Sequence, residues 1–414
     1  MTQAFPQYAT RPNANSTPPP DGMGPSAIIA GAGIGGLAAA LALARANFQV
    51  AIYERSDALE EFGAGIQLTP NATRVLRALD VLEAVTDVAA QPRRLVVLRG
   101  WDDMALATLP LDQSERRWGA PYLVVHRADL QRTLAHAAQR QNVALSLGAS
   151  VRRIAQDDDR ATVSVDRGAA AEHSADLLIG ADGLRSAVRD GLGLGAARDV
   201  RFTGKVAFRA TVDAHLLGHR ASRSELVLRL GPQAHLIHYP VRGGSLVNIV
   251  AVIESDRRAA SGDAAWDGAA DLSVLRRALA NWSRSTQRLL ATAENWRAWP
   301  VYDRAPIPTF SAGRVALVGD AAHPMVPFLA QGAAQAIEDA GALARIFARS
   351  QDIRSGLARY SRIRAPRATR IQLEAEKQGR LYHFAGPMGL ARDAALRASG
   401  ADWLGARYDW LYGG

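Results

Sequence analysis

Short apolar runs alternate with longer helical stretches along the first two hundred residues. Residues 27–30 read as a strand, 34–46 as a helix and 49–53 as a second strand. "TPNATRVLRAL" (69–79) has a helical period. "PYLVVHRADLQRTLAHAAQR" (121–140) reads as a strand end followed by a helix, and "VALSL" (143–147) as a strand. Residues 151–166 form a hairpin pattern around a charged turn, and 175–189 a strand, a turn and a helix. The rhythm changes between about 201 and 300, where "KVAFRATV", "SELVLRL", "AHLIHYPV" and "SLVNIVAVIE" are strand-like. After Gly313 the strand–turn–helix order returns, and long arginine-rich helices follow.

This order predicts an α/β protein. A Rossmann-like dinucleotide domain (26–200 and 301–350) is interrupted by a β-rich substrate domain (201–300), with a C-terminal helical region (351–414). Residues 1–25, rich in Pro, Asn, Thr and Gln, lack hydrophobic periodicity and are expected to be a disordered tail, with Met23 an alternative start. The closing "RYDWLYGG" carries aromatic residues that must dock on this chain or on a partner subunit.

Composition narrows the chemistry. The 414 residues suit two domains, or one with an insertion. There is no cysteine, so disulfides, thiolate catalysis and cysteine-held zinc are excluded; with no HExxH pattern either, no metal site is expected. The net charge is +9, but 47 of the 49 basic residues are arginines scattered along the chain, Lys205 and Lys377 being the only lysines. No basic stripe is interleaved with aromatics, so nucleic acid is not an expected partner, although a positive field favours a small anionic substrate. Residues 25–46 are mostly apolar, yet four glycines fall in the six positions 31–36 and a strand follows. That argues against a signal peptide or membrane span, and a cytoplasmic protein without a membrane partner is expected.

The glycines carry the first chemical signal. Gly31-Ala32-Gly33-Ile34-Gly35-Gly36 follows a strand and opens a helix. Gly31 permits the tight turn, Gly33 lets backbone approach a pyrophosphate, and Gly36 allows close helix-to-strand packing. Glu54, followed by Arg55, ends the second strand where a carboxylate accepts hydrogen bonds from a ribose diol. This set predicts a dinucleotide but does not separate NAD from FAD.

Two later segments do. Asp182-Gly183 in "LLIGADGLRSAVR" and Gly319-Asp320 in "ALVGDAAHPMVP", taken with the N-terminal glycines, resemble the single-component (class A) flavoprotein aromatic hydroxylases. This is the group of para-hydroxybenzoate hydroxylase and salicylate hydroxylase, and the likeness runs from about residue 26 to 380. The resemblance implies FAD as cofactor. It also implies that Asp320 accepts a hydrogen bond from the ribityl chain, and that the helix opening at Gly332-Ala333 aims its N-terminus at the flavin pyrimidine. Arg127 would contact the flavin tail or phosphates. Asp182-Gly183 with Arg185 would serve the pyrophosphate side and the nicotinamide donor, and Pro327 would line the reaction site. Ala334 stands where family members often carry Asn, so backbone donors must suffice there.

The segment "AHLIHYPVRGG" (234–244) looks like the salicylate hydroxylase and 3-hydroxybenzoate 6-hydroxylase branch, where a histidine of the inserted sheet faces the substrate. An electrophilic flavin C4a-hydroperoxide attacks a phenolate faster than a phenol, so an imidazole base is useful. His235 and His238 are three apart and must point to opposite faces of a strand. The expectation selects His238 as base, with Tyr239 and Pro327 beside it. Arg242 reads as a solvent-exposed turn arginine, with a substrate carboxylate as the alternative partner, and His323 as structural or near the flavin. The implied reaction uses NADH, or NADPH, and O2 to hydroxylate a small hydroxylated aromatic carboxylate such as salicylate, 3-hydroxybenzoate or 6-hydroxynicotinate. Hydroxylation of a bulkier heteroaromatic or polyketide, or a non-catalytic binder built on the same fold, are the alternatives. A monomer or a homodimer is expected.

Overall fold

A computed structural model describes residues 24–59, 65–168, 170–195, 197–220, 224–255, 268–269, 271–349 and 352–413. The expected N-terminal tail and Met23 lie almost wholly outside them.

Two sheets organise the chain. The first has six strands in the order Ser311–Ala312, Val315–Leu317, Leu177–Gly180, Ser26–Ala30, Gln49–Tyr53, Ala144–Ser146. All its pairings are parallel except that of the first two strands. The helix Ile34–Arg45 has no polar face: every residue from Leu37 to Leu43 is buried, because the sheet lies on one side and the helices Arg127–Arg140 and Gly332–Phe347 on the others. Strand order has a consequence that sequence spacing hides. Leu177–Gly180 lies between Ser26–Ala30 and Val315–Leu317. The three segments that follow these strands, at Gly31, Asp182 and Asp320, therefore leave the same edge side by side, at the carboxyl ends where open parallel sheets bind ligands.

The second sheet has eight strands: Gly268–Ala269, Arg297–Asp303, Arg201–Asp213, Leu246–Glu254, Ala234–Val241, Glu225–Gly231, Arg94–Arg99 and Ala105–Pro110. Its last two strands come from before residue 201, where the apolar alternation is too short to announce them. One face is covered by Leu272–Ala278 and Arg284–Thr292, through Leu275, Trp282 and Leu289. The other face looks toward Val326, Phe328 and the C-terminal helices.

The 30-residue helix Ile353–Tyr382 braces both sheets. Tyr360 Oη donates to the Leu317 carbonyl (2.8 Å) and Gln372 Nε2 to that of Pro324 (2.8 Å). The aromatics of the closing helix Ala401–Tyr412 dock on this chain. Tyr412 meets Trp118 edge-on, and Trp118 Nε1 donates to Asp409 (2.7 Å). No helix among the described residues is long and apolar enough to cross a membrane.

Candidate active site

The first glycine turn is built as its spacing predicts. Gly31 has φ +105°, and its N–H donates to the Tyr53 carbonyl (2.8 Å). A Cβ on Gly36 would lie 2.0 Å from the Gly31 oxygen, whereas one on Gly33 would meet nothing within 4 Å. The space in front of Gly33 and the helix N-terminus is thus open, although backbone packs tightly behind Gly36. Ala32 is buried and Gly35 packs toward Ala336. Glu54 ends its strand bridging this turn: Oε2 accepts from Ala32 N (2.7 Å) and Oε1 from Ser56 N (3.0 Å), and each oxygen keeps a lone pair. Arg55 beside it is exposed.

Asp182 and Gly183 lie against this turn, since the Ala181 carbonyl would be 2.5 Å from a Cβ on Gly31. Asp182 Oδ2 accepts from Val188 N (3.1 Å), but its buried Oδ1 has no hydrogen-bond partner among the described residues. Burial raises the Asp182 carboxyl above the ordinary range, and hydrogen bonds from Ser186 and Val188 oppose the rise. Gly183, at φ +79°, leaves open space in front of it.

Asp320 faces the cleft from a tight turn after Val315–Leu317 and is itself exposed there. Surrounding protein raises its carboxyl, with His323 and Arg127 pulling the other way. Arg127, exposed at the first turn of its helix, makes no hydrogen bond or ion pair among the described residues. The turn is anchored from behind. Asp339, completely buried, accepts from Gly319 N (2.9 Å), His323 Nε2 (2.7 Å) and Arg364 Nε (2.7 Å). Arg364 also donates to Glu338 (2.6 Å). His323 is therefore a structural residue. The loop continues through exposed Pro327 to Gly332, where a 16-residue helix begins with no side-chain cap; a Cβ on Gly332 would meet nothing, and Ala333 is half-buried beside it. Its first N–H groups face an open space suited to partial negative charge.

The second sheet presents a row of side chains to this cleft. Register places Arg209, Val250 and Ile237 across three strands, then Ala207, Val252 and His235, then Thr211, Asn248 and Tyr239, all on one face. His235 lies 5.4 Å from the Phe328 ring and 5.1 Å from that of Tyr382. Tyr239 is buried, and its Oη donates to the Gly65 carbonyl (2.6 Å).

The expectation that His238 faces the cleft is corrected here. His238 points to the opposite face, where its Nδ1 meets Arg229 (3.2 Å), and Arg229 bonds Asp103 (2.7 Å) and Ser285 (3.0 Å). Burial, with the Arg229 charge adding to it, takes the His238 imidazole down to about 3. Alternation shows that the two histidines diverge; only the layers packed on the sheet decide which one meets the cleft. Arg242 pairs with Asp129 (2.9 Å) at the head of the helix Arg127–Arg140.

Sequence reading missed Arg209. Its guanidinium lies over the Trp299 ring (4.9 Å), and no hydrogen bond to any of its nitrogens is formed among the described residues. The buried Nδ2 of Asn248, on the same face, also has no hydrogen-bond partner among the described residues. The available signal was an arginine between the apolar residues Val206, Phe208 and Ala210 of its strand.

An open glycine cradle, a glutamate with free lone pairs at a strand end, an exposed aspartate and an uncapped helix N-terminus together fit a dinucleotide-binding redox protein with a flavin-type site. These residues fit FAD: the unpaired Asp182 oxygen and the vacant spaces at Gly33, Gly183 and Gly332 are where its polar groups need partners and room.

The model of the family described as "FAD binding domain" matches residues 25–375. The chain is 35% identical to 3-hydroxybenzoate 6-hydroxylase of Polaromonas naphthalenivorans, covering 93% of this chain and 95% of that one. It is 34% identical to 3-amino-4-hydroxybenzoate 2-monooxygenase of Streptomyces cremeus, over 93% and 94%. Its structure superposes on that of Klebsiella pneumoniae HpxO complexed with FAD and uric acid with a TM-score of 0.84, at 27% identity, covering 94% and 96%. The chain belongs to the FAD binding domain family, among its FAD-dependent aromatic-ring monooxygenases.

The cradle yields a paired test. Gly36→Ala should disrupt folding, because its Cβ would overlap backbone; overpacking of this kind costs about 1–3 kcal/mol or more. Gly33→Ala should leave the apo-protein's thermal midpoint unchanged yet weaken FAD binding about tenfold or more, read by flavin fluorescence titration. Equal FAD affinity in Gly33→Ala and wild type would remove the pyrophosphate from this turn.

Proposed function

We propose that this monooxygenase hydroxylates a small aromatic ring carrying both a hydroxyl and a carboxylate, with His235 as base and Arg209 as the carboxylate's partner. The observation that supports this most is Arg209: a guanidinium held over Trp299 without a carboxylate, on the sheet face that also carries His235. The guanidinium is half-buried and faces no anion among the described residues, so a ligand's carboxylate can supply the partner. The two hydroxybenzoate-acting relatives have substrates with that combination of groups.

Bound FAD, reduced by NADH or NADPH, supplies an electrophilic oxygen atom from O2. The chain's own residues do the rest. Gly31 to Gly36, Glu54, Arg55 and Arg127 hold the adenosine and phosphate end, Asp182 and Gly183 the pyrophosphate side, and Asp320, Gly332 and Ala333 the ribityl and ring end. Arg209 fixes the carboxylate and so the orientation of the ring. His235 Nε2 takes the phenol proton, which makes the ring electron-rich. Pro327 and Phe328 close the cleft against water, which limits loss of the activated oxygen to solvent. Tyr239 is a positioning residue, because its hydroxyl is committed to Gly65. A second reading is a bulkier substrate, for which a cavity of about 120 Å³ lined by Tyr382, Leu95, Leu228, Arg392 and Tyr408 would have to open to the cleft.

The test is NADH oxidation and O2 uptake by the FAD-loaded protein against hydroxylated benzoates, hydroxynicotinates and larger heteroaromatics. Stimulation by a hydroxybenzoate, with a hydroxylated product, is expected. Stimulation only by neutral or extended compounds would overturn the small-carboxylate reading. Arg209→Gln should raise KM for the carboxylate substrate about 10–100-fold, matching the loss of a charged hydrogen bond of about 1.5–3 kcal/mol, with a smaller change in kcat. Its apo-protein should lose no more than about 0.5–1 kcal/mol of stability, because the guanidinium makes no hydrogen bond and has only the contact with the Trp299 ring among the described residues.

A further inference from the structure

His235 does not stand alone. Its Nδ1 lies 2.8 Å from Nε2 of His383, the residue that ends the helix Ile353–Tyr382. Nδ1 of His383 lies 3.0 Å from Oε1 of Glu254, at the end of the strand Leu246–Glu254. Both imidazoles are buried; the Glu254 side chain is 39% exposed and meets Lys205 at 3.8 Å. The backbone supports this chain of contacts, since Gln233 N donates to the His383 carbonyl (3.1 Å) and Glu254 N to that of Gln233 (2.9 Å).

We propose that His235, His383 and Glu254 form a proton relay that carries the substrate's phenol proton from the closed cleft to solvent. This rests on His235 being the base. The hydrogen-bond order fixes the direction. An ionised Glu254 can only accept, so His383 donates from Nδ1, and its Nε2 becomes an acceptor. His235 must then donate from Nδ1. Its Nε2 is left unprotonated, with no hydrogen bond to a described residue, and is the atom available to a phenol. The carboxylate at the surface thus sets the tautomer of an imidazole two residues away, the logic of a triad extended by one ring.

The transfers balance. The phenol O–H breaks as N–H forms at His235 Nε2. The His235 Nδ1 proton passes to His383 Nε2, and the His383 Nδ1 proton passes to Glu254, which yields it to water. The same steps run backwards when the product hydroxyl is reprotonated, and both tautomers are restored. Burial is what favours neutral rings in the pair. Burial lowers His383 to about 4, against the pull of Glu254 and aided by Lys205 and Arg392. Burial also takes His235 well down, aided by His383 and Lys205. The relay is therefore neutral at rest and passes a proton without storing one. Phe328 and Tyr382, the other neighbours of His235, leave no second polar exit among its ring contacts.

The test uses FAD-loaded enzyme with bound 3-hydroxy-4-nitrobenzoate, whose phenolate absorbs in the visible. A stopped-flow jump to higher pH reads the rate at which the bound probe ionises. His383→Gln should slow that rate about tenfold or more at unchanged probe affinity, and Glu254→Gln should slow it less. Added imidazole should restore the rate in His383→Ala. Equal rates in wild type and both variants would overturn the relay and leave His235 as base. A wild-type enzyme that retains FAD but never ionises the probe would remove the base assignment, and the relay with it. Nitrogen-15 NMR of the apo-protein gives a substrate-free check. His235 should be the Nδ1–H tautomer in wild type and a mixture in Glu254→Gln, a half-exposed change that leaves the fold intact; a Nε2–H tautomer in wild type would overturn the proposal.

Discussion

Asp339→Ala is expected to cost about 3–5 kcal/mol of folding stability and to abolish FAD retention, a larger loss than any other single substitution around the flavin cleft should bring. The carboxylate is fully buried and accepts from a backbone N–H, a histidine and an arginine. Its removal leaves His323 and Arg364 without that acceptor, and it frees the turn that carries Asp320. Burial by itself would raise the Asp339 carboxyl, but His323 and Arg364 outweigh it and hold it below the usual range. Glu338 behaves alike: burial raises it, and the Arg367 hydrogen bond with the Arg364 and Arg367 charges brings it to about 2. Both carboxylates stabilise the fold above the unfolded carboxyl range, roughly pH 4, and that contribution is lost as pH falls through the folded values. Chemical denaturation of wild type and variant measures the difference, which should shrink as pH is lowered below about 4. Asp339→Leu with Arg364→Met should recover part of the loss, because the pair is then removed together. A variant as stable as wild type, with flavin retained, would show that the turn does not depend on this anchor.

His235→Ala is expected to lower kcat about 10²–10⁴-fold while FAD and substrate still bind, the range for loss of a positioned general base. His238→Ala is the control. It should leave kcat within a few-fold and cost about 1–3 kcal/mol of stability, through the Arg229–Asp103–Ser285 network that it leaves unsatisfied. Steady-state kinetics on both purified variants, with thermal midpoints, separates the two. The opposite ranking, with His238→Ala inactive and His235→Ala active, would restore the assignment made from sequence and reject the one based on the sheet's packing.

Much of the site was legible because its parts are local. A glycine that must take a positive φ, a helix that must start at a fixed offset and an acid that must end a strand each leave a mark within a few residues. Gly31 to Gly36, Glu54, Asp182 and Asp320 could therefore be read as an ordered set, and the β-rich middle could be separated from the dinucleotide rhythm. The resemblance carried by those motifs reached the flavin and the reaction class, and the comparisons bear both out.

What the sequence by itself determined was the alternation of strand and helix, the dinucleotide turn and the divergence of His235 from His238. Only the tertiary structure decided which histidine meets the cleft, because both faces of the inserted sheet are covered and a period of two is blind to what covers them. It alone joined strands 94–99 and 105–110 to that sheet, and brought Arg209, 26 residues earlier in the chain, into line with His235 through strand register. It alone placed His383 and Glu254 behind His235, although 148 residues separate the two histidines. Periodicity fixes which side of its own element a side chain takes; long-range pairing and packing fix what that side meets.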